Sequence, residues 1–244
     1  MSREPTDSNT TIAARVRSLD WETLGAALSS QGFALTKPLL HPDECEELSG
    51  RFDDESRFRS TVDMARHGFG DGRYRYFEHP LPETIAALRG SFYEYLAPIA
   101  NEWGERLRGD QPVYPDDHAE LLERCAAAGQ TRPTPLILRY GEGDWNALHQ
   151  DLYGEVYFPF QVLTVLSPPE HFEGGQFVLV EQRPRAQSRA HVIEPGQGEF
   201  VIFPTRERPN QGSRGYHRVG LRHGVSTITA GARTALGIIF HDAK

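Results

Sequence analysis

The residues best suited to chemistry in this chain are an imidazole and a carboxylate two positions apart, His149 and Asp151. They end the stretch Leu136–Asp151, which predicts a strand over Leu136–Tyr140, a Gly-rich turn over Gly141–Asp144 and a second extended run. Side chains at positions i and i+2 of a strand point to the same face. The spacing therefore predicts two ligands of one mononuclear metal site.

A third ligand must come from another segment, because one strand cannot present three side chains to one side of an ion. His223 lies on a later extended run and would supply it. Two imidazoles and one carboxylate on one face of an ion leave the opposite face open, which is typical of non-haem Fe(II) oxygenases. A histidine and an aspartate at this spacing are common by chance, so the prediction depends on the elements around them.

The pattern of elements changes near Thr131. Before it, apolar residues recur every three or four positions and predict helices, and after it short alternating runs separated by Gly and Pro predict about eight strands in roughly 110 residues. Helices first and strands second favour a mainly β fold with flanking helices (α+β), built from antiparallel sheets as a small barrel or jelly roll. The predicted early elements are a helix from Asp20 to Gly32, a strand over Phe33–Leu40, a helix opened by His41-Pro42, a long helix within Pro80–Arg108 that Pro98 would kink, and a helix over His118–Gly129.

We expect a flexible N-terminus over residues 1–17 and a single domain over residues 18–244. Within that domain, residues 18–130 would form a mostly helical support and residues 131–244 the barrel with the metal site. The polar segment 203–222 is expected to be a loop. Segment 53–77, rich in Arg and Tyr, is either a solvated loop with an edge strand or a face that binds an anionic or aromatic substrate.

Three motifs follow one another in the β-rich part. Arg139-Tyr140 precedes His149-Gln150-Asp151, a turn Glu173-Gly174-Gly175 leads into a strand, and His223 and Val225 precede Gly231-Ala232-Arg233. In this order they resemble the 2-oxoglutarate-dependent Fe(II) oxygenases, and within them the prolyl-4-hydroxylase-like branch. The resemblance covers residues 136–240, close to half of the chain.

This resemblance implies a double-stranded β-helix, the jelly-roll barrel of cupin-like proteins, with Fe(II) bound by His149, Asp151 and His223. It also implies 2-oxoglutarate and O2 as co-substrates, with Arg233 paired to the distal carboxylate of 2-oxoglutarate. A planar guanidinium is well suited to that role because it binds a carboxylate through two parallel hydrogen bonds. Tyr140 is a candidate second donor to that carboxylate, and Gln161, inward by alternation, would line the pocket.

Two positions depart from the pattern, and a third competes with one of the predicted ligands. Arg233 stands where prolyl hydroxylases commonly have Lys, and Ala235 stands where some branches have a Ser that contacts the co-substrate. His217 competes with His223 as the distal ligand, but it lies 16 residues before Arg233, against 10 for His223, and no Gly-Val follows it.

The composition of the chain limits the binding partners and the cellular location that we expect. The net charge of −8 argues against chain-wide attraction to nucleic acid or an anionic membrane. There is neither a membrane-length apolar run nor a signal-peptide core, and Cys45 and Cys125 lack metal-type spacing, so we expect a cytoplasmic protein with reduced thiols. The sequence carries no indication of an oligomeric state.

The predicted function is hydroxylation of an unactivated C–H bond in an amino acid, peptide or small molecule, with release of succinate and CO2. An alternative with the same iron chemistry is oxidative demethylation of alkylated nucleic acid, which the Arg- and Tyr-rich segment 66–77 favours and the net acidity disfavours. A zinc hydrolase or a non-catalytic cupin-like binding protein would leave Arg233 without a role.

Overall fold

The computed structural model describes residues 10–107, 113–183, 186–213 and 215–244. The α-helices are α1 (Ile12–Arg17), α2 (Trp21–Gln31), α3 (Pro42–Gly50), α4 (Glu83–Arg106) and α5 (His118–Ala127). The strands of the first half are β1 (Ala34–Leu35), β2 (Phe58–Asp63), β3 (Gly70–Asp71) and β4 (Arg73–Phe77). Those of the second half are β5 (Leu136–Tyr140), β6 (Trp145–His149), β7 (Phe160–Val165), β8 (Phe172–Gly174), β9 (Phe177–Gln182), β10 (Arg189–Ile193), β11 (Phe200–Pro204), β12 (Glu207–Gly212), β13 (Gly215–Val225), β14 (Ile228–Gly231) and β15 (Arg233–Ile239).

The helix ends follow local chemistry. Asp20 caps α2 by accepting the Thr23 backbone N–H at 3.0 Å, and Gly32 ends that helix in the left-handed region at φ 84°. α4 continues through Pro98 and buries an apolar stripe along one side. Both helices were predicted from the sequence, to within a few residues at each end.

Two antiparallel sheets make up the β-rich part. The first has seven strands in the order β1-β11-β7-β15-β5-β4-β2, and the second has the order β10-β9-β13-β6-β3, with β12 added beside β13. Every pairing along these two sheets is antiparallel, as expected. β8 and β14 form a separate two-stranded ribbon. The prediction of a mainly β fold with flanking helices is confirmed.

α4 covers the seven-stranded sheet. Phe92 packs against Phe200 at 5.2 Å between ring centroids, and Trp103 packs against Phe160 at 4.5 Å. A smaller apolar cluster brings together side chains from strands of both sheets, among them Leu163, Phe177, Leu179, Phe203 and Leu221. Leu221 places β13, the strand that carries His223, in this packed cluster.

Three expectations need correction. Residues 12–17 are the helix α1, with Val16 buried in the core, so only residues 1–9 of the expected flexible terminus lie outside the described chain. Segment 203–222 contains a β-hairpin, β12 with β13, instead of a loop. The expected strand Phe33–Leu40 is reduced to Ala34–Leu35, and four strands within residues 18–130 join the two sheets.

None of the helices in the described ranges combines the length and apolarity that a bilayer span requires.

Candidate metal centre

The three predicted ligands lie together between neighbouring strands. His149 ends β6 and pairs in register with His223 of β13, while Asp151 follows β6 by two residues. His223 Nε2 lies 3.2 Å from Asp151 Oδ2, and His149 Nε2 lies 3.5 Å from Asp151 Oδ1. One ligand atom from each residue falls within 4.8 Å of the others, a cluster that could hold a single metal ion. His217 is exposed on the hairpin, six residues away from this cluster along β13.

A glycine permits the close approach of the two strands that carry the histidines. The pairing of β13 with β6 shifts register between His223 and Val225. A Cβ on Gly224, between them, would lie 2.6 Å from the Asn146 carbonyl oxygen, closer than real Cβ atoms come. A larger side chain after His223 would clash with the neighbouring strand, which explains the glycine at this irregularity.

The surroundings of both imidazoles favour the neutral form that binds a metal. His149 Nδ1 lies 2.8 Å from the Ala147 carbonyl oxygen, so Nδ1 carries the proton and Nε2 is free to bind a metal. Burial and the neighbouring His149 lower the pKa of His223, against the opposing effect of Asp151. A lowered pKa keeps the imidazole neutral, which is the form that ligates.

Asp151 is held as a carboxylate. Burial raises its pKa, but the hydrogen bond from His223 and the charges of His223 and His149 outweigh burial, so the pKa lies well below its usual range. The Tyr153 hydroxyl donates to Asp151 Oδ1 at 2.8 Å, and the Tyr76 hydroxyl donates to the Tyr153 oxygen at 3.1 Å.

Arg233 is a buried charged residue near the metal-ligand candidates. It begins β15, only 1% of it is exposed, and none of its three guanidinium nitrogens has a hydrogen-bond partner in the described chain. Burial lowers its pKa, while nearby Tyr140 acts in the opposite direction. A buried, unpaired cation is costly, so the site calls for an anionic ligand. The sequence turn Glu173-Gly174-Gly175 contributes space, since a Cβ on Gly175 would lie 2.9 Å from Arg233 Cδ.

Tyr140 and Gln161, the two other predicted binding residues, line the same cavity as the metal-ligand candidates. Tyr140 is fully buried and accepts a hydrogen bond from Asn146 Nδ2 at 3.3 Å. Burial raises the pKa of Tyr140 to about 12, with Arg233 acting against it. Gln161 is 4% exposed, and its Nε2 has no partner among the residues described.

The cavity has a volume of about 240 Å³ and a mostly apolar wall. Phe177 and Phe203 flank His223, and Phe69, Tyr74 and Tyr76 come from the segment that the sequence left unassigned. Among the described residues, the wall includes no Lys or Arg, and Asp151 is its one carboxylate. Arg233 is not part of this wall, although its register partner Tyr140 is.

Sequence reasoning missed Tyr153, Tyr76 and Asn146. Tyr153 stands two residues after Asp151, a spacing that could have drawn attention to it. Tyr76 lies 77 positions before Tyr153, and its place beside the metal cluster depends on β4 joining β5 in the sheet.

The sequence resembles a family of oxygenases over most of its length. The model of the family Oxygenase-NA, described as "Oxygenase, catalysing oxidative methylation of damaged DNA", matches residues 72–243. Two relatives from Mycobacterium tuberculosis, the uncharacterized proteins MT2286 (strain CDC 1551 / Oshkosh) and Rv2227 (strain ATCC 25618 / H37Rv), are each 52% identical over 168 residues. That alignment covers 68% of this chain and 72% of each relative.

Solved structures share the fold. A prolyl-4-hydroxylase from Pseudomonas putida superposes with a TM-score of 0.51 at 14% identity, covering 92% of this chain and 99% of that one. A 2OG-Fe(II) oxygenase family oxidoreductase from Burkholderia pseudomallei gives 0.54 at 15% identity, with 91% of both chains covered. A prolyl hydroxylase from Trichoplax adhaerens, solved with a hypoxia inducible factor peptide, gives 0.53 at 16% identity, covering 93% and 90%. The expected prolyl-4-hydroxylase-like double-stranded β-helix is confirmed.

Proposed function

The chain belongs to the Oxygenase-NA family of oxygenases, and from this premise we propose that it is an Fe(II)- and 2-oxoglutarate-dependent dioxygenase that hydroxylates an unactivated C–H bond with release of succinate and CO2. The observation that carries the proposal is the combination of the His149, Asp151 and His223 cluster with the unpaired, buried Arg233.

The residues present fit both implied groups. Two neutral imidazoles and one carboxylate are the donor set of non-haem Fe(II) sites, and they leave positions open for other ligands. Arg233 needs an anion, and a planar guanidinium binds a carboxylate through two hydrogen bonds. We assign His149, Asp151 and His223 to Fe(II), Arg233 to a carboxylate of 2-oxoglutarate, and Tyr140 and Gln161 to polar contacts in the same pocket.

When bound, iron, 2-oxoglutarate and O2 supply the oxidising chemistry, and the chain holds and shields the reacting groups. The carbonyl of Ala147 orients the His149 ring. The Phe177 and Phe203 rings cover His223 and limit water on that side of the cluster. Ordered ligands and a water-poor wall favour reaction with the bound substrate over side reactions.

The residues that line the cavity limit the class of substrate that could enter it. A free amino acid carries an ammonium and a carboxylate, and burying either without a partner is costly. The described wall includes no Lys or Arg, and its one carboxylate, Asp151, is assigned to the metal. These observations support an uncharged group belonging to a peptide or other larger molecule as the part that enters.

Alkylated nucleic acid is the second candidate substrate, with oxidative demethylation as the reaction. The family description names damaged DNA, and the aromatic side chains of Phe69, Tyr74 and Tyr76 suit stacking with a flat base. Arg66 and Arg73 lie exposed in the same segment, whereas the net charge of −8 opposes binding to a polyanion.

Succinate release under Fe(II), 2-oxoglutarate and O2 tests the proposal. The screen compares free amino acids, N- and C-capped peptides and methylated oligonucleotides, with His149→Ala as the inactive control. We expect a capped peptide or an oligonucleotide to raise succinate release above the background without substrate, and free amino acids to leave it unchanged. Succinate release that is absent in the wild type, or equal in His149→Ala, would contradict the proposed function.

A further inference from the structure

We propose that Tyr153 is a positioning residue that holds Asp151 in the geometry needed for metal binding. The inference rests on the proposed metal centre and adds a residue to it. Tyr153 lies two residues after Asp151, in the segment that follows β6, and its side chain forms part of the cavity wall.

The Tyr153 hydroxyl bonds one of the two Asp151 oxygens and leaves the other available to a metal ion. It donates to Oδ1 at 2.8 Å, while Oδ2 lies 3.2 Å from His223 Nε2. With Oδ1 bonded to Tyr153, Oδ2 would be the oxygen through which Asp151 binds an ion. A carboxylate that rotates freely would bind through either oxygen or both, and binding through both would fill a position that the co-substrates need.

Tyr153 is itself fixed from two sides. The Tyr76 hydroxyl donates to the Tyr153 oxygen at 3.1 Å, so the Tyr153 proton is directed at Asp151. On the other side, Nε2 of the fully buried Gln130 lies 3.1 Å from the Tyr153 carbonyl oxygen and 2.8 Å from that of Val156, and its Oε1 accepts the backbone N–H groups of Glu155 and Val156 at 2.9 Å each.

Gln130 also connects this segment to the C-terminus. Its Nε2 lies 2.6 Å from the Asp242 carbonyl oxygen, and Gly154, at φ 84°, has no room for a side chain beside the Gln130 amide. Backbone held by a buried amide can fix a ring more precisely than a free loop can. Tyr153 therefore has the support expected of a residue that orients a metal ligand.

Binding of Co(II) tests the inference without catalysis. Equilibrium dialysis and visible absorption of Co(II) are compared for the wild type, Tyr153→Phe, Tyr76→Phe and Tyr95→Phe. Tyr153→Phe keeps the ring and removes the donor to Asp151. Tyr76→Phe leaves that donor in place, and Tyr95 lies on α4, stacked on Trp21 at 4.7 Å between ring centroids.

We expect Tyr153→Phe to weaken Co(II) binding by about 10- to 100-fold, the usual cost of losing an outer hydrogen bond to a ligand, and to alter the Co(II) spectrum. Tyr76→Phe should have a much smaller effect and Tyr95→Phe none. Unchanged Co(II) affinity and spectrum in Tyr153→Phe, or an equal loss in Tyr95→Phe, would overturn the role of Tyr153. Failure of the wild type to bind Co(II) would instead contradict the proposed metal centre.

Discussion

Arg233 is a buried cation without a hydrogen-bond partner among the described residues. Its guanidinium is buried beside Tyr140 and Phe172, with its carbon 5.9 Å and 6.0 Å from the two ring centroids, and its nitrogens have no partner in the described residues. Aromatic faces attract a cation, but they do not replace hydrogen bonds to an anion. Its charge is therefore best explained by a ligand.

Replacing Arg233 by Met should separate the effect of the buried charge on stability from its role in binding 2-oxoglutarate. Without ligands, Arg233→Met should unfold at the same temperature as the wild type or higher, because an apolar side chain needs no partner. A ligand at 100 times its Kd stabilises by about 2.7 kcal/mol, which is roughly 5–10 °C in a protein of this size. In the presence of Co(II), 2-oxoglutarate should raise the melting temperature of the wild type by this amount and that of Arg233→Met by little.

The exposed Arg189 provides the control. Arg189→Met removes the same charge at a residue that does not line the cavity, and it should retain the full shift with 2-oxoglutarate. An equal shift in Arg233→Met and the wild type would show that Arg233 does not bind the co-substrate.

At the residue scale, the sequence predicts side chains that share one strand or one motif. The pairing of His149 with Asp151 was predicted from the two-residue repeat of a strand, although β6 ends at His149 and Asp151 follows it, and Tyr140 and Gln161 do line the cavity. Tyr76 could not be predicted, because its hydrogen bond to Tyr153 depends on how distant strands pair. Such long-range contacts leave no local pattern in the chain.

The pairing of β6 with β13 is the element that brings the two histidines together. The strands meet at His149 and His223, and the register shift that follows places Gly224 against the backbone of Asn146. The geometry of the metal centre therefore depends on one close contact between two backbones.

Gly224→Ala should disturb the site through this contact. The new Cβ would lie 2.6 Å from the Asn146 carbonyl oxygen, so the strands must separate and move His223 away from His149. Overpacking of this kind costs about 1–3 kcal/mol, and the affinity for Co(II) should fall as well. Gly220→Ala lies on the same strand, where a Cβ meets nothing within 4 Å, and should change neither quantity.

Thermal unfolding and Co(II) titration of the two alanine variants measure both effects. If Gly224→Ala kept the metal affinity of Gly220→Ala, the register shift would have no part in forming the site.

Elements with an apolar pattern were predictable, and polar ones were not. β5 has a short apolar run and α4 has apolar residues at helical spacing, and both elements were predicted. The sequence predicts a loop where the hairpin of β12 and β13 lies, because residues 215–218 of β13 are polar or exposed and present no apolar face. Its strand structure comes from backbone pairing with β9, β6 and β12.

At the scale of the whole molecule, the C-terminal segment joins the sheets to the helical side. Arg89 of α4 donates to Asp242 at 2.7 Å and to the Ile239 carbonyl at 2.9 Å, and both side chains of this ion pair are buried. Beside them His241, fully buried, accepts the Phe158 backbone N–H on Nδ1 at 3.1 Å. The last residues are thus part of the core.

The free energy of unfolding should depend on pH through protonation of His241. Burial, with a smaller contribution from Arg89, lowers the pKa of His241 from 6.5 to about 4. Between these values the unfolded chain binds a proton that the folded chain does not, so the free energy of unfolding should decrease as the pH falls from 6.5 to 4. The slope contributed by one such group reaches about 1.4 kcal/mol per pH unit.

Denaturant unfolding at several pH values checks this slope. His241→Asn retains an acceptor for the Phe158 N–H without the titration, and its stability should depend less steeply on pH in this window. Half-buried His118, whose pKa burial also lowers to about 4, would supply part of the slope that remains. A wild-type slope equal to that of His241→Asn would contradict this role, and the exposed His171→Asn serves as the control.

The central claim is that one centre binds Fe(II) through His149, Asp151 and His223 while Arg233 holds 2-oxoglutarate beside it. Anaerobic addition of Fe(II) and 2-oxoglutarate, followed by visible absorption, tests it most directly, because chelation of the metal by the keto acid produces a weak charge-transfer band. We predict this band for the wild type and for His217→Ala, and its loss in His223→Ala. Absence of the band in the wild type under stoichiometric conditions, or its loss in His217→Ala with survival in His223→Ala, would contradict the account.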